Sequence, residues 1–209
     1  MAFDEPEVGV MFPVPFVTVR LKNAEALNHR LLDEIGQRRA LEPGVDRSNR
    51  YGWHSALDFF DRAEAAHAEL AGEIEAMVAA ATARLAPDLP KRLRLAHEGW
   101  INVSPTHAMN TPHDHPGSFW SGTYYVQVPD AGEADPRAGA IEFIDPRGSI
   151  GSNASFETPF TRGKFTVRPV AGTCLIWPSF MKHWVHPNRS AEERVSVAFN
   201  SRFARSTKN

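Results

Sequence analysis

From about residue 92 the chain is a series of short apolar or alternating runs separated by proline, glycine, aspartate and asparagine. This punctuation is typical of a β-rich fold, and the runs that it bounds are roughly 92–103, 119–128, 139–144, 164–168, 173–177 and 194–203. Because no helical pattern lies between them, they do not fit a parallel sheet with crossover helices. They predict an antiparallel sandwich or jelly roll, in an α+β chain that is mainly β.

Two helical patterns precede the β-rich part. The clearer one follows Asp61, a candidate N-cap, and its apolar side chains recur at steps of three and four over residues 70–85. The shorter one has Asn23 as a candidate cap and Gly36 near its expected end, and its apolar face consists of Leu27, Leu31, Leu32 and Ile35. We expect both helices to pack on the outer face of one sheet.

The length of 209 residues suits a single domain. In this prediction residues 1–91 form a strand over Val14 to Leu21 and the supporting helices, and residues 92–203 form the β core. The polar, irregular segment from Gly148 to Arg162 is predicted to be a mobile loop at the mouth of a site.

The charge balance disfavours some partners. Lys+Arg 23 against Asp+Glu 25 gives a formal net charge of −2, so no overall basic field attracts nucleic acid or an anionic membrane, and no aromatic and basic stripe suits single strands. No stretch approaches the roughly 20 apolar residues that span a bilayer, and no signal peptide pattern is present. The single cysteine, Cys174, lies in an apolar run and is expected to be a small buried side chain. These features predict a soluble cytoplasmic protein.

Histidines are concentrated in two short windows, which hold five of the nine: His107, His113, His115, His183 and His186. On a strand, His113 and His115 would leave the same face, and Asp114 would point the other way. Two such imidazoles form a ready chelate for a divalent metal, and His183 would be a third ligand from a later strand. Alternatively, the first window is a polar turn before Pro116 and the later histidines are satisfied by hydrogen bonds.

Two strands carry polar side chains on one face. In the run 119–128 that face includes Ser121, Thr123 and Tyr125, and in the last strand it includes Arg194, Ser196, Ala198 and Asn200. An Arg-x-Ser pair in a cavity can hold a carboxylate, because guanidinium binds carboxylate in a bidentate fork. The alternative is an arginine exposed on a solvated sheet. Candidate aromatic walls of such a cavity, if they are not ordinary core, are Trp120, Phe143 and Trp177.

Taken in order, these motifs resemble the double-stranded β-helix of the Fe(II)/2-oxoglutarate-dependent oxygenases from about Trp100 to Phe203. The segments that carry the resemblance are PHDHPGS, SGTYYVQVP, GAIEFIDPR, AGTCLIWPSFMKHWVHPN and ERVSVAFN. They are most similar to a group of bacterial members with His-x-His-Pro, Ser-Gly-x-Tyr-Tyr and Pro-Ser-x-x-x-His signatures. As an ordered set these motifs are specific, although each alone is weak.

The resemblance implies roles for particular residues. It assigns the metal and the catalytic centre to His113, His115 and His183. It assigns 2-oxoglutarate binding to Arg194, Ser196 and Tyr125, and we expect Asn102 to face the cosubstrate. The implied cofactors are Fe(II), 2-oxoglutarate and O2. The implied reaction hydroxylates or oxidises an unidentified small molecule or peptide while 2-oxoglutarate is decarboxylated to succinate and CO2.

His115 stands where most of this superfamily has a carboxylate. Asp114 could supply the carboxylate only if the backbone turned there. Three neutral imidazoles also suit a cupin-like metal protein that acts without 2-oxoglutarate, as a dioxygenase, an isomerase or a small-molecule binder. A third alternative is a scaffold whose chemistry has decayed. Arg194 discriminates between the first two, because only the oxygenase needs it to face the metal.

Overall fold

The computed structural model describes residue 5 and residues 7–89, 93–130, 135–148 and 161–205. The helices in these ranges are α1 (Ala24–Leu41), α2 (Ala65–Leu85) and a short 3-10 helix (Phe59–Asp61). The strands are β1 (Val17–Arg20), β2 (Asn49–Arg50), β3 (Trp53–His54), β4 (Leu93–Ser104), β5 (Met109–His113), β6 (Trp120–Gln127), β7 (Ile141–Ile144), β8 (Lys164–Val167), β9 (Thr173–Pro178), β10 (His183–Val185) and β11 (Arg194–Arg205).

The strands form two sheets. The major sheet has the order β1-β9-β6-β11-β4-β3 and the minor sheet has the order β2-β5-β10-β7-β8. Every pairing between these strands is antiparallel. Since β2 and β3 are neighbours in sequence but lie in different sheets, residues 49–54 cross from one sheet to the other. The predicted jelly roll, a double-stranded β-helix, is confirmed.

The major sheet separates an outer core from an inner cavity. Along β6, Trp120 and Tyr124 point to the outer core, whereas Tyr125 belongs to the smaller cluster between the sheets. Gly122 also lies on the outer face, where a Cβ atom would stand only 2.1 Å from the ring of Phe199 on the neighbouring strand. The alternation predicted for this strand is confirmed, and glycine is required where that ring crosses it.

The two helices cover the outer face of the major sheet, as predicted. Their buried apolar side chains are Leu27, Leu31 and Ile35 of α1 and Leu70, Ile74, Met77, Val78 and Ala81 of α2. Burial of each large side chain contributes roughly 1.5–3 kcal/mol. Two hydrogen bonds cross the layer, from the Trp120 indole to Thr82 Oγ1 (2.9 Å) and from the Tyr124 hydroxyl to Asn28 Oδ1 (2.8 Å). Cys174 is fully buried, as expected.

The helix boundaries differ from those that the sequence predicted. α1 continues through Gly36 to Leu41, since one glycine costs a helix only about 1 kcal/mol relative to alanine. Asp61 is not the cap of α2, because it ends the short 3-10 helix and α2 begins at Ala65. Asn23 does precede α1, but its side chain makes no capping hydrogen bond.

Although His113 and His183 were considered on strands, four strands lie outside the runs that the sequence pattern bounded: β2, β3, β5 and β10. They have two to five residues each and mix polar with apolar side chains, so they show no period of their own. Most of the predicted loop lies outside the described residues, which omit 149–160. Neither α1 nor α2 has the length and apolar character that a membrane span requires.

Candidate active site

Three histidines converge between the sheets. His113 ends β5, His183 begins β10, and the two residues are paired directly in the antiparallel register. His115 follows two residues after the end of β5, and its ring centroid lies 5.0 Å from that of His113 and 5.3 Å from that of His183. One nitrogen from each ring lies within 4.8 Å of the other two. The tertiary structure therefore assembles a potential tridentate nitrogen site.

Asp114 does not belong to this group. Its side chain is exposed, whereas His115 is partly buried and its backbone N–H donates to the carbonyl of Ser179 (3.0 Å). This bond ties the segment after β5 to the turn that precedes β10. The structure thus brings His115, and not Asp114, to His113 and His183.

Backbone carbonyls fix the ring nitrogens of two of the histidines. His113 Nδ1 lies 2.6 Å from the carbonyl oxygen of Thr111, and His183 Nδ1 lies 2.9 Å from that of Met181. A carbonyl can only accept, so both Nδ1 atoms carry the proton and donate it. Each Nε2 is then unprotonated, which is the form of imidazole nitrogen that binds a metal.

Burial keeps these imidazoles neutral. Burial, together with the proximity of His113, lowers the pKa of His183 to about 3 and that of His115 to about 4. Burial also lowers the pKa of His113, against the opposing effects of the Thr111 carbonyl and Asp114. A metal therefore does not compete with protons for these nitrogens near neutral pH.

Arg194 faces the same cavity as the histidines. The lining includes His113, His115 and His183 together with Asn102, Arg194 and Ser196. Arg194 is 2% exposed, its Nη1 donates to Ser196 Oγ (3.3 Å), and its guanidinium carbon lies 5.0 Å from the centroid of the Tyr125 ring. Among the described residues no carboxylate lies within salt-bridge distance of it.

Several buried polar atoms in the lining of this cavity or directly beside it have no hydrogen-bond partner. They are Arg194 Nε, Tyr125 Oη, Asn102 Oδ1 and Trp177 Nε1. An unpaired buried guanidinium is costly, by several kcal/mol, and the usual remedy is an anion. The donors of this set, above all the Arg194 guanidinium, are the strongest sign that the cavity accepts an anionic ligand.

The inner cavity is small, about 30 Å³. That volume holds about two water molecules, so a five-carbon acid can enter only if the lining side chains shift. A larger cavity of about 610 Å³ lies outside it, between residues 9–14 and the edge formed by β7 and β8. Phe143 lines the larger cavity and contacts the His183 ring, with centroids 5.8 Å apart.

The other histidines of the two windows lie elsewhere. His186 points to the outer face of the minor sheet, where its Nε2 lies 3.2 Å from Glu142 Oε2. His107 occupies a turn in the left-handed region (φ 70°) and contacts Arg189. Neither belongs to the metal group.

The aromatic side chains considered as cavity walls lie in different places. Trp177 lines the inner cavity, as one interpretation of the sequence expected. Trp120 is wrong as a cavity wall, because its parity on β6 places it in the outer core.

Two further residues near the site were not predicted from the sequence: Ser48, which lines the cavity, and His54, which lies behind Trp100 of the lining. Ser48 Oγ lies 3.5 Å from His113 Nε2 and accepts from Asn110 Nδ2 (3.3 Å), because β2 pairs with β5. The ring of His54, on β3, stacks on that of Trp100 at 5.5 Å. Nothing in the local sequence marks either residue, since both come from two-residue strands or their flanks.

Comparison with known proteins places this geometry in context. Residues 98–200 match the model of a family described as "Putative 2OG-Fe(II) oxygenase". No curated protein sequence gives a significant match.

Three solved structures illustrate the similarity of fold. A prolyl-4-hydroxylase from Pseudomonas putida has a TM-score of 0.64 and 17% identity, over 90% of this chain and 91% of that one. A prolyl hydroxylase from Trichoplax adhaerens, in complex with a hypoxia-inducible-factor peptide fragment, has a TM-score of 0.63 and 11% identity over 89% and 82%. HygX from Streptomyces hygroscopicus, with nickel and 2-oxoglutarate bound, has a TM-score of 0.53 and 14% identity over 90% and 82%.

Proposed function

This chain carries a domain of the 2OG-Fe(II) oxygenase family in residues 98–200, and we propose that its active centre is one Fe(II) ion held by His113, His115 and His183, with 2-oxoglutarate bound through Arg194. The observation that supports this assignment best is that three neutral imidazoles and an unpaired buried guanidinium share one cavity. No other group of described histidine, cysteine, aspartate and glutamate side chains has such a geometry.

The donor set suits the ion. Imidazole nitrogens are good ligands for iron, and three of them leave coordination positions open. When bound, Fe(II) supplies the site at which O2 and 2-oxoglutarate react, so that succinate, CO2 and an oxidised substrate are formed. The protein contributes the positions of the reactants and the electrostatics of the cavity.

Arg194 binds the carboxylate of 2-oxoglutarate that is remote from the metal. Its Nε is unpartnered, and its Nη1 already contacts Ser196, whose hydroxyl can also donate to a carboxylate oxygen. The Tyr125 hydroxyl, beside this guanidinium, is a further donor for the carboxylate. A charge-assisted hydrogen bond contributes about 1.5–3 kcal/mol, and an anion would also remove the cost of the unpaired guanidinium.

Asn102 differs from the residues that bind the remote carboxylate in the hydrogen bonds that it can offer. Its unpartnered Oδ1 can only accept a hydrogen bond, so it orients a donor and not a carboxylate. Its carboxamide N–H groups remain available to the cosubstrate. We therefore assign Asn102 to the wall that faces the cosubstrate.

Apolar side chains limit the access of water to the centre. Ile141, Trp177 and Val185 line the inner cavity beside His183. Phe143 lines the larger cavity and packs edge-on against Trp177 of the inner one. We infer that the substrate, a small molecule or a peptide segment, occupies the larger cavity. Phe143 lines that cavity and contacts the His183 ring, so a substrate bound there lies next to the proposed metal site.

His115 in place of a carboxylate changes the charge of the centre. Three neutral ligands leave Fe(II) its full +2 charge, whereas a carboxylate would reduce the charge to +1. The higher charge strengthens attraction for the dianionic cosubstrate. The same donor set supports the competing interpretation, a cupin-like metal protein that does not use 2-oxoglutarate, but that interpretation gives Arg194 no partner.

Anaerobic titration tests the proposal. We expect Fe(II) and 2-oxoglutarate together to produce a visible charge-transfer band, with a stoichiometry of one per chain, and exposure to air to yield succinate. A protein that binds Fe(II) but shows neither the band nor succinate would support the cupin-like alternative. A protein that binds no Fe(II) would contradict both.

A further inference from the structure

The three histidines differ in what holds their Nδ1 atoms. In His113 and His183 the partner is a backbone carbonyl, which is part of the strand or turn and cannot be exchanged. Nδ1 of His115 instead faces a side chain, the amide of Asn200, whose Nδ2 lies 3.4 Å away. The orientation of His115 therefore depends on a side chain, which a substitution can remove, and not on a backbone group.

Asn200 is itself held on both sides. It lies on β11 between Glu98 of β4 and Ser121 of β6, both directly opposite it in register. Its Nδ2 donates to Glu98 Oε1 (3.1 Å) and its Oδ1 accepts from Ser121 Oγ (2.8 Å). The residue is only 6% exposed. The amide is thus fixed in place beside the ring.

The ring of His115 is confined from another direction by Trp100, with centroids 5.6 Å apart. Between this indole and the Asn200 amide, the imidazole has little freedom to turn. Neither contact involves the backbone, which distinguishes His115 from the other two histidines. Partners of this kind normally determine the tautomer of a ligating histidine and raise metal affinity.

A side-chain amide can either donate a hydrogen bond to a histidine nitrogen or accept one from it, whereas a backbone carbonyl can only accept. With Nδ2 toward His115, as in the structure, Asn200 donates to a bare Nδ1. If the amide turns by half a rotation, Oδ1 accepts from a protonated Nδ1, and Ser121 Oγ can then accept from Nδ2. The amide has the same shape in both orientations, but the exchange ends the bond from Nδ2 to Glu98 Oε1 (3.1 Å) and brings Oδ1 toward that carboxylate, so the Glu98 side chain has to turn away.

We propose that Asn200, held by Ser121, is a positioning residue of the metal centre that, with Oδ1 toward His115, fixes the ring orientation and the tautomer of His115. This inference rests on the proposed function, because it concerns the His115 that would ligate the metal. Asn200 corresponds in this role to the carbonyls of Thr111 and Met181. It touches neither substrate nor metal and acts only through His115.

Cobalt(II) titration, followed by its visible absorption, provides the first measurement. We expect the wild-type chain to bind one Co(II) and Asn200→Ala to bind it about 10- to 100-fold more weakly. The matched control is Asn28→Ala, which removes a buried amide of the same type from α1, on the other side of the major sheet. It should lower thermal stability but leave the Co(II) affinity at the wild-type value.

A conservative variant separates positioning from packing. Asn200→Asp presents only acceptors to His115, and it is made together with Glu98→Gln so that two carboxylates do not face each other. We expect this double variant to bind Co(II) within a few-fold of the wild type. In zinc-loaded protein, side-chain NMR of labelled histidine should show the proton of His115 on Nδ1 in the wild type and the double variant, and a loss of this single tautomer in Asn200→Ala.

The outcomes distinguish the two proposals. Equal affinities of Asn200→Ala and wild type would overturn the role of Asn200 and leave the metal centre standing. Absence of Co(II) binding by the wild type would overturn both. If Asn200→Ala does not fold, the double variant decides, since weak Co(II) binding or a mixed His115 tautomer in that folded protein would contradict the inference.

Discussion

His113 and His183 face each other across the antiparallel pairing of β5 with β10, and their ring centroids are 4.5 Å apart. The two rings can reach a common ion only if these short strands are paired. Assembly of the minor sheet and assembly of the proposed metal site are therefore one structural event.

The first prediction follows from this coupling. A divalent metal at about 100 times its Kd should stabilise the folded chain by roughly 2.7 kcal/mol, which raises Tm by about 5–10 °C for a domain of this size. Differential scanning fluorimetry with Co(II) or Fe(II) measures the shift. His183→Ala should abolish it, whereas His186→Ala, a buried histidine outside the metal group, should retain it. A shift that survives His183→Ala would place the metal elsewhere.

The second prediction concerns the cosubstrate. Arg194→Leu removes a charge-assisted partner worth about 1.5–3 kcal/mol, so 2-oxoglutarate should bind roughly 10- to 150-fold more weakly, while Fe(II) affinity stays near the wild-type value. Calorimetry on the anaerobic Fe(II) form checks both. Arg202→Leu, an exposed arginine on the same strand, is the control. Loss of Fe(II) binding in Arg194→Leu would show that its position has been misassigned.

The third prediction concerns the contact between the helices. The Glu34 carboxylate of α1 accepts from the backbone N–H groups of Ala66 (2.9 Å) and His67 (3.1 Å) in the first turn of α2, and from His67 Nδ1 (2.7 Å). It caps α2, whose own N-cap residue makes no side-chain bond. Glu34→Ala should lower the free energy of unfolding by about 1–3 kcal/mol.

Urea denaturation measures that loss. Glu69→Ala breaks only an exposed ion pair with Arg30 and should cost less than about 1 kcal/mol. Equal losses for the two variants would show that Glu34 does not act as a cap.

The fourth prediction concerns acid stability. Burial alone would raise the pKa of Glu142, but hydrogen bonds from Lys164, Trp184, His186 and Thr166 lower it to about 2. The unfolded carboxyl, with a pKa near 4.5, binds a proton more readily, so stability should fall as the pH falls from about 4.5 to about 2. Denaturation at a series of pH values across this range gives the free energy of unfolding at each pH. We expect this free energy to depend less on pH in Glu142→Gln than in the wild type, and Thr166→Val to be intermediate. An unchanged slope in Glu142→Gln would contradict this assignment.

Much of the fold could be predicted because its signals are local. The alternation along β6 and β11 separates Trp120 and Val197 from Tyr125 and Arg194, and the structure places each on the expected side of the sheet. The apolar faces of α1 and α2 could likewise be predicted, from apolar residues that recur at steps of three and four. We also predict that the chain is one domain in which residues 1–91 support the β core, and this stays a prediction.

The short elements could not be predicted. β10 has three residues, and β2 has two, so neither contains a full period of any pattern. Each exists because a longer partner supplies its hydrogen bonds. The roles of Ser48 and Glu34 were missed for the same reason, since each depends on a neighbour far away in the sequence.

The sequence by itself determined which chemical groups are present and on which face of a strand they lie, because side-chain alternation is a local property of the backbone. It determined the Arg-x-Ser pair of the last strand, whereas the strand face predicted for His113 and His115 together is wrong, because β5 ends at His113 and His115 lies beyond it. Only the tertiary structure decided that His183 pairs with His113, that Asp114 is left outside, and that Asn200 holds His115. These relations depend on register between strands distant in sequence, and register is fixed by packing of the whole sheet and not by any one segment.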